Sequence, residues 1–188
     1  MQRTSWVVGV GFVVGVLGLG GCPGDGRAGP PPDAPREVRL VVDGPGEGAS
    51  LWLDGRLDGS GVELEVWAKD LGEVFGYAAH VELAGDALAV DPGGAFALDG
   101  DALASGDPAA HHALVTSGPG DIGFGECRAS LAAGAVEVAA PVRLGTVRLR
   151  LGEAREGSIR LTRISVRRAD GSFVEVTAGA ARLVEEEV

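Results

Sequence analysis

Three histidines, two cysteines and a scatter of loop aspartates are the residues of this 188-residue chain whose types could do chemistry. The histidines are His80, His111 and His112. None falls in an H-E-x-x-H helix pattern, and no G-x-S-x-G nucleophile elbow occurs, so metal-assisted or acyl-transfer hydrolysis has no framework. His111 and His112 are adjacent; on a strand their rings point to opposite faces, so the pair reads as a surface loop or the start of a strand and not as a chelate. His80 sits in an alternating segment and reads as a solvent-facing strand residue, available as a contact. Asp54, Asp58, Asp99, Asp101 and Asp107 lie in Gly-rich stretches that match no calcium-loop spacing, and they read as solvated turns. The glycines of 118–125 are followed by no Lys and no helix, so they form a strand entry and not a phosphate cradle. The expectation is a non-catalytic protein with no cofactor and no metal.

The two cysteines, Cys22 and Cys127, do different work. Arg3 precedes an uncharged apolar run from Val7 to Leu19, and Leu19-Gly20-Gly21-Cys22 follows. A run of about 10–14 apolar residues is too short to span a bilayer and suits a signal peptide. The ending resembles a bacterial lipobox, which implies cleavage before Cys22 and lipidation of its thiol. Acyl chains contribute about 0.8 kcal/mol per buried CH2, so several of them anchor a protein without a spanning helix. Residues 1–21 are therefore read as a signal peptide, and the chain as an exported lipoprotein of the cell envelope, at the outer membrane or cell surface. Cys127 then has no disulfide partner and is expected as a small buried hydrophobe on the strand face opposite Phe124.

Removing residues 1–21 would leave 188 − 21 = 167 residues and, with Arg3 gone, take the charge from -11 to -12. One domain of about 100–200 residues fits that length. An acidic chain (pI ≈ 4.6) does not suit nucleic acid or anionic lipid headgroups. Residues 22–35, which include Pro30-Pro31-Pro32, lack apolar periodicity and read as a semi-extended tether.

From residue 36 to 185 the apolar residues recur every second position, the period of half-buried strands. The runs are Val38-Leu40-Val42, Val62-Leu64-Val66, Phe75 to Leu83, Ile122-Phe124, Val147-Leu149-Leu151, Ile159-Leu161, Ile164-Val166 and Phe173 to Val176. Turns are expected at 91–94, 118–121 and 169–172. The Ala-rich stretch 129–135 holds at most one helical turn. Many short strands with no long amphipathic helix imply an all-β sandwich of antiparallel sheets, in a monomer.

The order of these segments resembles the cohesin domain, the receptor half of cellulosome-type assemblies, over Glu37 to Val184. Phe75-Gly76-Tyr77-Ala78-Ala79-His80-Val81-Glu82-Leu83, with Leu88-Ala89-Val90 after it, is similar to the family's third strand and its successor; the turn between is Leu83-Ala84-Gly85. Asp121-Ile122-Gly123-Phe124-Gly125 resembles the central strand. Leu144-Gly145-Thr146-Val147-Arg148-Leu149-Arg150-Leu151 is similar to the Gly-x-Leu-Ala-x-Leu-x-Phe strand, and Ser158 to Leu161, Val166 to Gly171 and Val174 to Leu183 to the last ones. The resemblance implies a jelly-roll sandwich of about nine strands. It also implies a flat face, drawn from strands near 76–82, 112–116, 122–128 and 159–167, that binds a dockerin, a small helical calcium-binding module. On that face Ala78, His80, Glu82, Thr116, Arg160 and Arg167 are the expected partner contacts. Carbohydrate-binding modules share the architecture, so polysaccharide is the competing ligand. A structural envelope sandwich with no dockerin partner is the alternative.

Charge is uneven along the chain. Residues 43–126 hold 16 acidic and 2 basic residues, and residues 127–181 hold 5 acidic and 9 basic. Either strands from the two halves interleave and neutralise each other, or one face is polarised toward a partner. Trp52 and Trp67 are the only tryptophans after the apolar leader. Trp67 falls on the face opposite the main apolar pattern, and an exposed coplanar pair would favour sugar stacking.

Overall fold

The alternation of Val62, Leu64, Val66 and Ala68 with Glu63, Glu65 and Trp67 becomes a strand whose first set is buried and whose second is half-buried. The same rule builds the rest of the molecule, because side chains of successive strand residues leave on opposite faces. A computed structural model describes residues 36–59, 61–91, 96–98, 102–103 and 111–187. The expected signal peptide and tether lie outside the described residues, as do Asp99, Asp101 and Asp107.

Among the described residues, nine strands of seven residues or more carry the fold: β1 (Arg36–Val42), β2 (Ser50–Asp58), β3 (Gly61–Lys69), β5 (Gly76–Ala84), β8 (His111–Gly118), β9 (Asp121–Arg128), β11 (Val142–Leu151), β12 (Gly157–Arg167) and β14 (Ala180–Glu187). Five shorter ones fill gaps: β4 (Gly72–Val74), β6 (Leu88–Val90), β7 (Phe96–Leu98), β10 (Val136–Val138) and β13 (Thr177–Ala178). One sheet has the order β1-β14-β12-β5-β9-β8. The other runs β13-β2-β3-β11-β6, with β7 also on β11, and β10 pairs β4 in a small ribbon. Every pairing is antiparallel except β13 with β2. This is the expected all-β, jelly-roll-like sandwich.

The core lies between the sheets. Leu51, Leu53, Leu64 and Val66 from one sheet meet Ala79, Val81, Ile122 and Ile159 from the other, all fully buried. Burying each of these Leu, Val and Ile side chains is worth about 1.5–3 kcal/mol. Phe124 joins the layers: it stacks on Phe96 of β7 at 4.4 Å and meets Tyr77 of β5 edge-on at 6.3 Å.

Four expectations change. Ser50–Asp58, which shows no clean alternation, is a full strand, because its first four residues are buried on both faces. Asp54 and Asp58 are thus strand residues and not turns. Phe173–Val176 is not a strand: it forms one isolated bridge, Arg167 to Phe173, and the chain closes later, on β14. Its alternation is real, but Phe173 is left exposed. Cys127 is free and exposed, not buried. Ile122, Phe124, Glu126 and Arg128 point inward on β9, which turns Cys127 out to solvent.

The inward set of β9 includes two charges, Glu126 (3% exposed) and Arg128 (6%). Arg128 donates Nε to the Gly134 carbonyl at 3.2 Å, one terminal nitrogen to the Ala133 carbonyl at 2.6 Å, and the other to the Leu103 carbonyl. The first two acceptors belong to the 3-10 turn at Leu131–Ala133 and its end.

Candidate functional site

The outer face of the first sheet assembles four consecutive strands, β12-β5-β9-β8. Register fixes its rows. Arg160 stands opposite Glu82, and Glu82 opposite Asp121. The next row is Thr162, His80, Gly123 and Thr116; the third is Ser165, Ala78, Gly125 and Leu114; the fourth is Arg167, Gly76, Cys127 and His112. All six expected contacts, Ala78, His80, Glu82, Thr116, Arg160 and Arg167, therefore share this one face.

Glycines shape it. On β9 the outward positions 123 and 125 carry no side chain, so β9 is the floor of a trough of about 330 Å³ between β5 and β8. A Cβ at Gly125 would lie 2.6 Å from the Tyr77 carbonyl oxygen, and one at Gly123 would lie 2.7 Å from Thr116 Oγ1 and 3.1 Å from His80 Cε1. The glycines thus let β5 and β8 side chains close over β9. Leu114, 68% exposed, forms the apolar rim on β8.

The polar groups are tethered in part. His80 Nδ1 lies 3.0 Å from both carboxylate oxygens of Asp121. Thr116 Oγ1 donates to the Gly123 carbonyl at 3.5 Å. Glu82 faces Arg160 in the register, yet its carboxylate pairs with Arg163 at 3.4 Å. Arg163 reaches this face through a bulge: the β12 register slips between Thr162 and Ser165, and Arg163 has φ 48°. The face holds a His–Asp pair but no hydroxyl or thiol hydrogen-bonded to that imidazole among the described residues.

The opposite outer face, on β2, β3 and β11, is self-neutralised. Arg143 pairs with Glu65 at 2.6 Å, and Glu63 takes both Arg56 (3.2 Å) and Arg148 (3.6 Å). Glu63 and Glu65 come from the acidic half of the chain, and Arg143 and Arg148 from the basic half, so here the two halves interleave. A hollow of about 280 Å³ lined by Asp54, Gly55, Arg56, Glu63 and Glu65 sits among these pairs. Trp52 and Trp67 stack at 6.2 Å and 17°, with Trp67 Nε1 donating to Glu65 Oε2 at 3.1 Å. Trp52 is only 9% exposed, so the pair is parallel but is not an open platform. Among the described residues no three His, Cys, Asp or Glu side chains gather as a metal-ligand set.

His111 and His112 open β8 on opposite faces, as the strand-start reading expects. Sequence reasoning passed over Leu114, Asp121 and Arg163. The paired glycines of β9 carried the signal for a floored face; nothing in the sequence marks Arg163 as the residue at positive φ.

No family model matches the chain, and no curated protein matches it. Solved structures do. The second type II cohesin module of an adaptor scaffoldin of Acetivibrio cellulolyticus aligns with TM-score 0.54 and 12% identity, over 71% of this chain and 96% of that one. A non-cellulosomal cohesin from the archaeon Archaeoglobus fulgidus gives 0.51 and 16%, over 70% and 86%. The sixth cohesin of a second Acetivibrio cellulolyticus scaffoldin, solved in complex with a dockerin, gives 0.52 and 11%, over 70% and 96%. At these identities the likeness is one of fold: the chain has a cohesin-like β-sandwich.

Proposed function

We propose that this chain is a non-catalytic docking module that offers the β12-β5-β9-β8 face to a dockerin-type protein partner. One observation carries the reading: four strands adjacent in the sheet bring the six contact residues to one face, around a glycine-floored trough rimmed by exposed Leu114. An exposed apolar residue beside a furrow suits insertion of a partner's side chains, and the surrounding polar groups fix orientation. The cohesin-like fold, with one such neighbour solved on a dockerin, supports the same direction. Sugar stacking draws less support, since Trp52 is covered. The lipobox-like Leu19 to Cys22 supports the reading that the module is displayed on the cell envelope as a lipoprotein held by acyl chains.

Calorimetric titration with a panel of calcium-loaded dockerin modules tests this. Binding at micromolar Kd or tighter, weakened at least tenfold by Leu114→Glu and abolished by EDTA, is the expected result. Leu114 is exposed, so the substitution leaves the core untouched. Silence across the panel together with retention on a glycan array would replace the protein partner by a polysaccharide. Silence in both would leave a structural envelope sandwich. Cys22→Ala is expected to move the protein from the membrane fraction to the soluble one; a variant that stays with the membrane refutes the anchor.

A further inference from the structure

We infer that the partner is acidic along one flank: it lays a helix in the trough with carboxylates against an arginine ridge on β12. The inference rests on the docking reading and specifies the chemistry of what docks. Three arginines, Arg160, Arg163 and Arg167, lie along the solvent side of β12, all exposed. The rest of the chain makes this unusual, since the whole sequence carries a formal charge of -11.

The two outer faces use arginine in opposite ways. On β11, Arg143 and Arg148 are each held by a β3 glutamate: Arg148 by Glu63 directly opposite, and Arg143 by Glu65, two positions from the Trp67 it faces. On β12, Arg160 and Arg167 have no ion-pair partner among the described residues. Among the described residues the acid opposite Arg160 in the register is Glu82, and that carboxylate is taken by Arg163. Asp121, the other acid of the face, is engaged by His80. The acids of this face are therefore committed, and two guanidinium groups remain for an incoming partner.

The backbone adds a second, independent observation. Arg163 holds φ 48° at the β12 bulge, a left-handed conformation that a non-glycine residue adopts at a cost. Bulges re-aim side chains, and here the bulge brings a third arginine to the ridge between the other two. Glycine would fit that backbone without strain, yet arginine occupies it.

Spacing fixes the form of the partner. The seven residue steps from Arg160 to Arg167 span roughly 20 Å at about 3.3 Å per residue. A helix covers that length in about 14 residues, and positions seven apart fall on nearly the same stripe. Carboxylates spaced by seven would meet Arg160, Arg163 and Arg167 in turn. The neighbouring apolar stripe of the same helix would enter the trough over Gly123 and Gly125, against Leu114.

The test uses the purified full chain, labelled with 15N, and two synthetic helical peptides with one shared apolar stripe. One peptide carries Glu at three flank positions spaced by seven; the other carries Lys there. The Glu peptide is expected to shift amides of β12, β5 and β9 and to bind at least tenfold tighter than the Lys peptide in 50 mM NaCl. That advantage should shrink toward parity in 300 mM NaCl, as screening requires. The double substitution Arg160→Glu, Arg167→Glu should reverse the preference. Arg163→Gly should weaken the Glu peptide several-fold without lowering the denaturation midpoint, which separates a contact role from a structural one. Equal binding of both peptides on this face, indifferent to the charge reversal, would overturn the inference and leave the docking reading standing. Binding of neither peptide, while a calcium-loaded dockerin still binds the face, would overturn it likewise. Failure of peptides and dockerins together would remove the docking reading with it.

Discussion

Arg128 is the side chain on which one end of the sandwich closes. It is buried, and three backbone carbonyls converge on its guanidinium. Hydrogen bonds to a charged donor are worth about 1.5–3 kcal/mol each, and unmade buried ones cost more than made ones return. Arg128→Met is expected to cost about 3–5 kcal/mol in urea unfolding, the range for breaking a buried charged network; a loss within the scatter of surface substitutions would show that the carbonyls find other donors. Cys127, one position before it, illustrates how far strand parity reaches. Parity alone put Cys127 on the face away from Phe124, and that held. What failed was the assumption that the second face is buried too, because in a two-layer sandwich each sheet has one wet side. In a Cys22→Ala background, Cys127 is expected to react with a thiol reagent at similar rates in native and urea-unfolded protein, and bound partner is expected to shield it; slow native reaction would contradict its exposure. Asp170 is a carboxyl with a distinct shift. The Ser172 hydroxyl first, then its amide at 2.8 Å, hold the carboxyl below the usual range. A depressed folded value contributes stability above the unfolded value, and that contribution is lost as pH falls through the folded one. NMR titration of Asp170 should therefore show it ionised where ordinary aspartates are half protonated, and Ser172→Ala should raise its midpoint; an unmoved midpoint would refute the assignment.

Elements with strict alternation were legible in the sequence, and those shaped by partners were not. β3, β5, β9 and β11 fall where the period-two pattern put them, because each has one buried and one wet face. β2 breaks the pattern since Trp52, on its outer side, is covered as well; a Cβ at Gly179 would lie only 3.0 Å from the Trp52 Cβ. β8 is missing from the period-two pattern for the reverse reason, and only the family resemblance put a strand near 112–116: it is an edge strand, exposed along nearly its whole length, so no buried face imposes alternation on it. β11 shows what a single glycine holds in place. Its register slips at Arg143/Gly145, and a Cβ on Gly145 would lie 2.5 Å from the Phe96 ring. Gly145→Ala is expected to push Phe96 off Phe124 and cost about 1–3 kcal/mol, the usual toll of overpacking; near-UV circular dichroism should report the lost stack, and an unchanged spectrum and midpoint would contradict the account.

At the scale of the whole molecule, the charge asymmetry of the sequence resolves into two faces with different fates. β3 from the acidic half and β11 from the basic half lie side by side, and their charges cancel across the ladder. β12 also lies beside a strand of the acidic half, β5, but there the one carboxylate, Glu82, pairs with Arg163, and Arg160 and Arg167 have no ion-pair partner among the described residues. Neutralisation across strands therefore occurs on one outer face, and the other keeps an excess of arginine. The six candidate contacts were legible as a set because strand parity and segment order fix faces. The trough between them was not, because its depth depends on which strands become neighbours. Hydrogen–deuterium exchange of the chain with and without a calcium-loaded dockerin that binds it is the most direct measure of the central claim. The account predicts slowed exchange confined to β12, β5, β9 and β8, with β2, β3 and β11 unchanged. Protection on β2, β3 and β11 instead would contradict it.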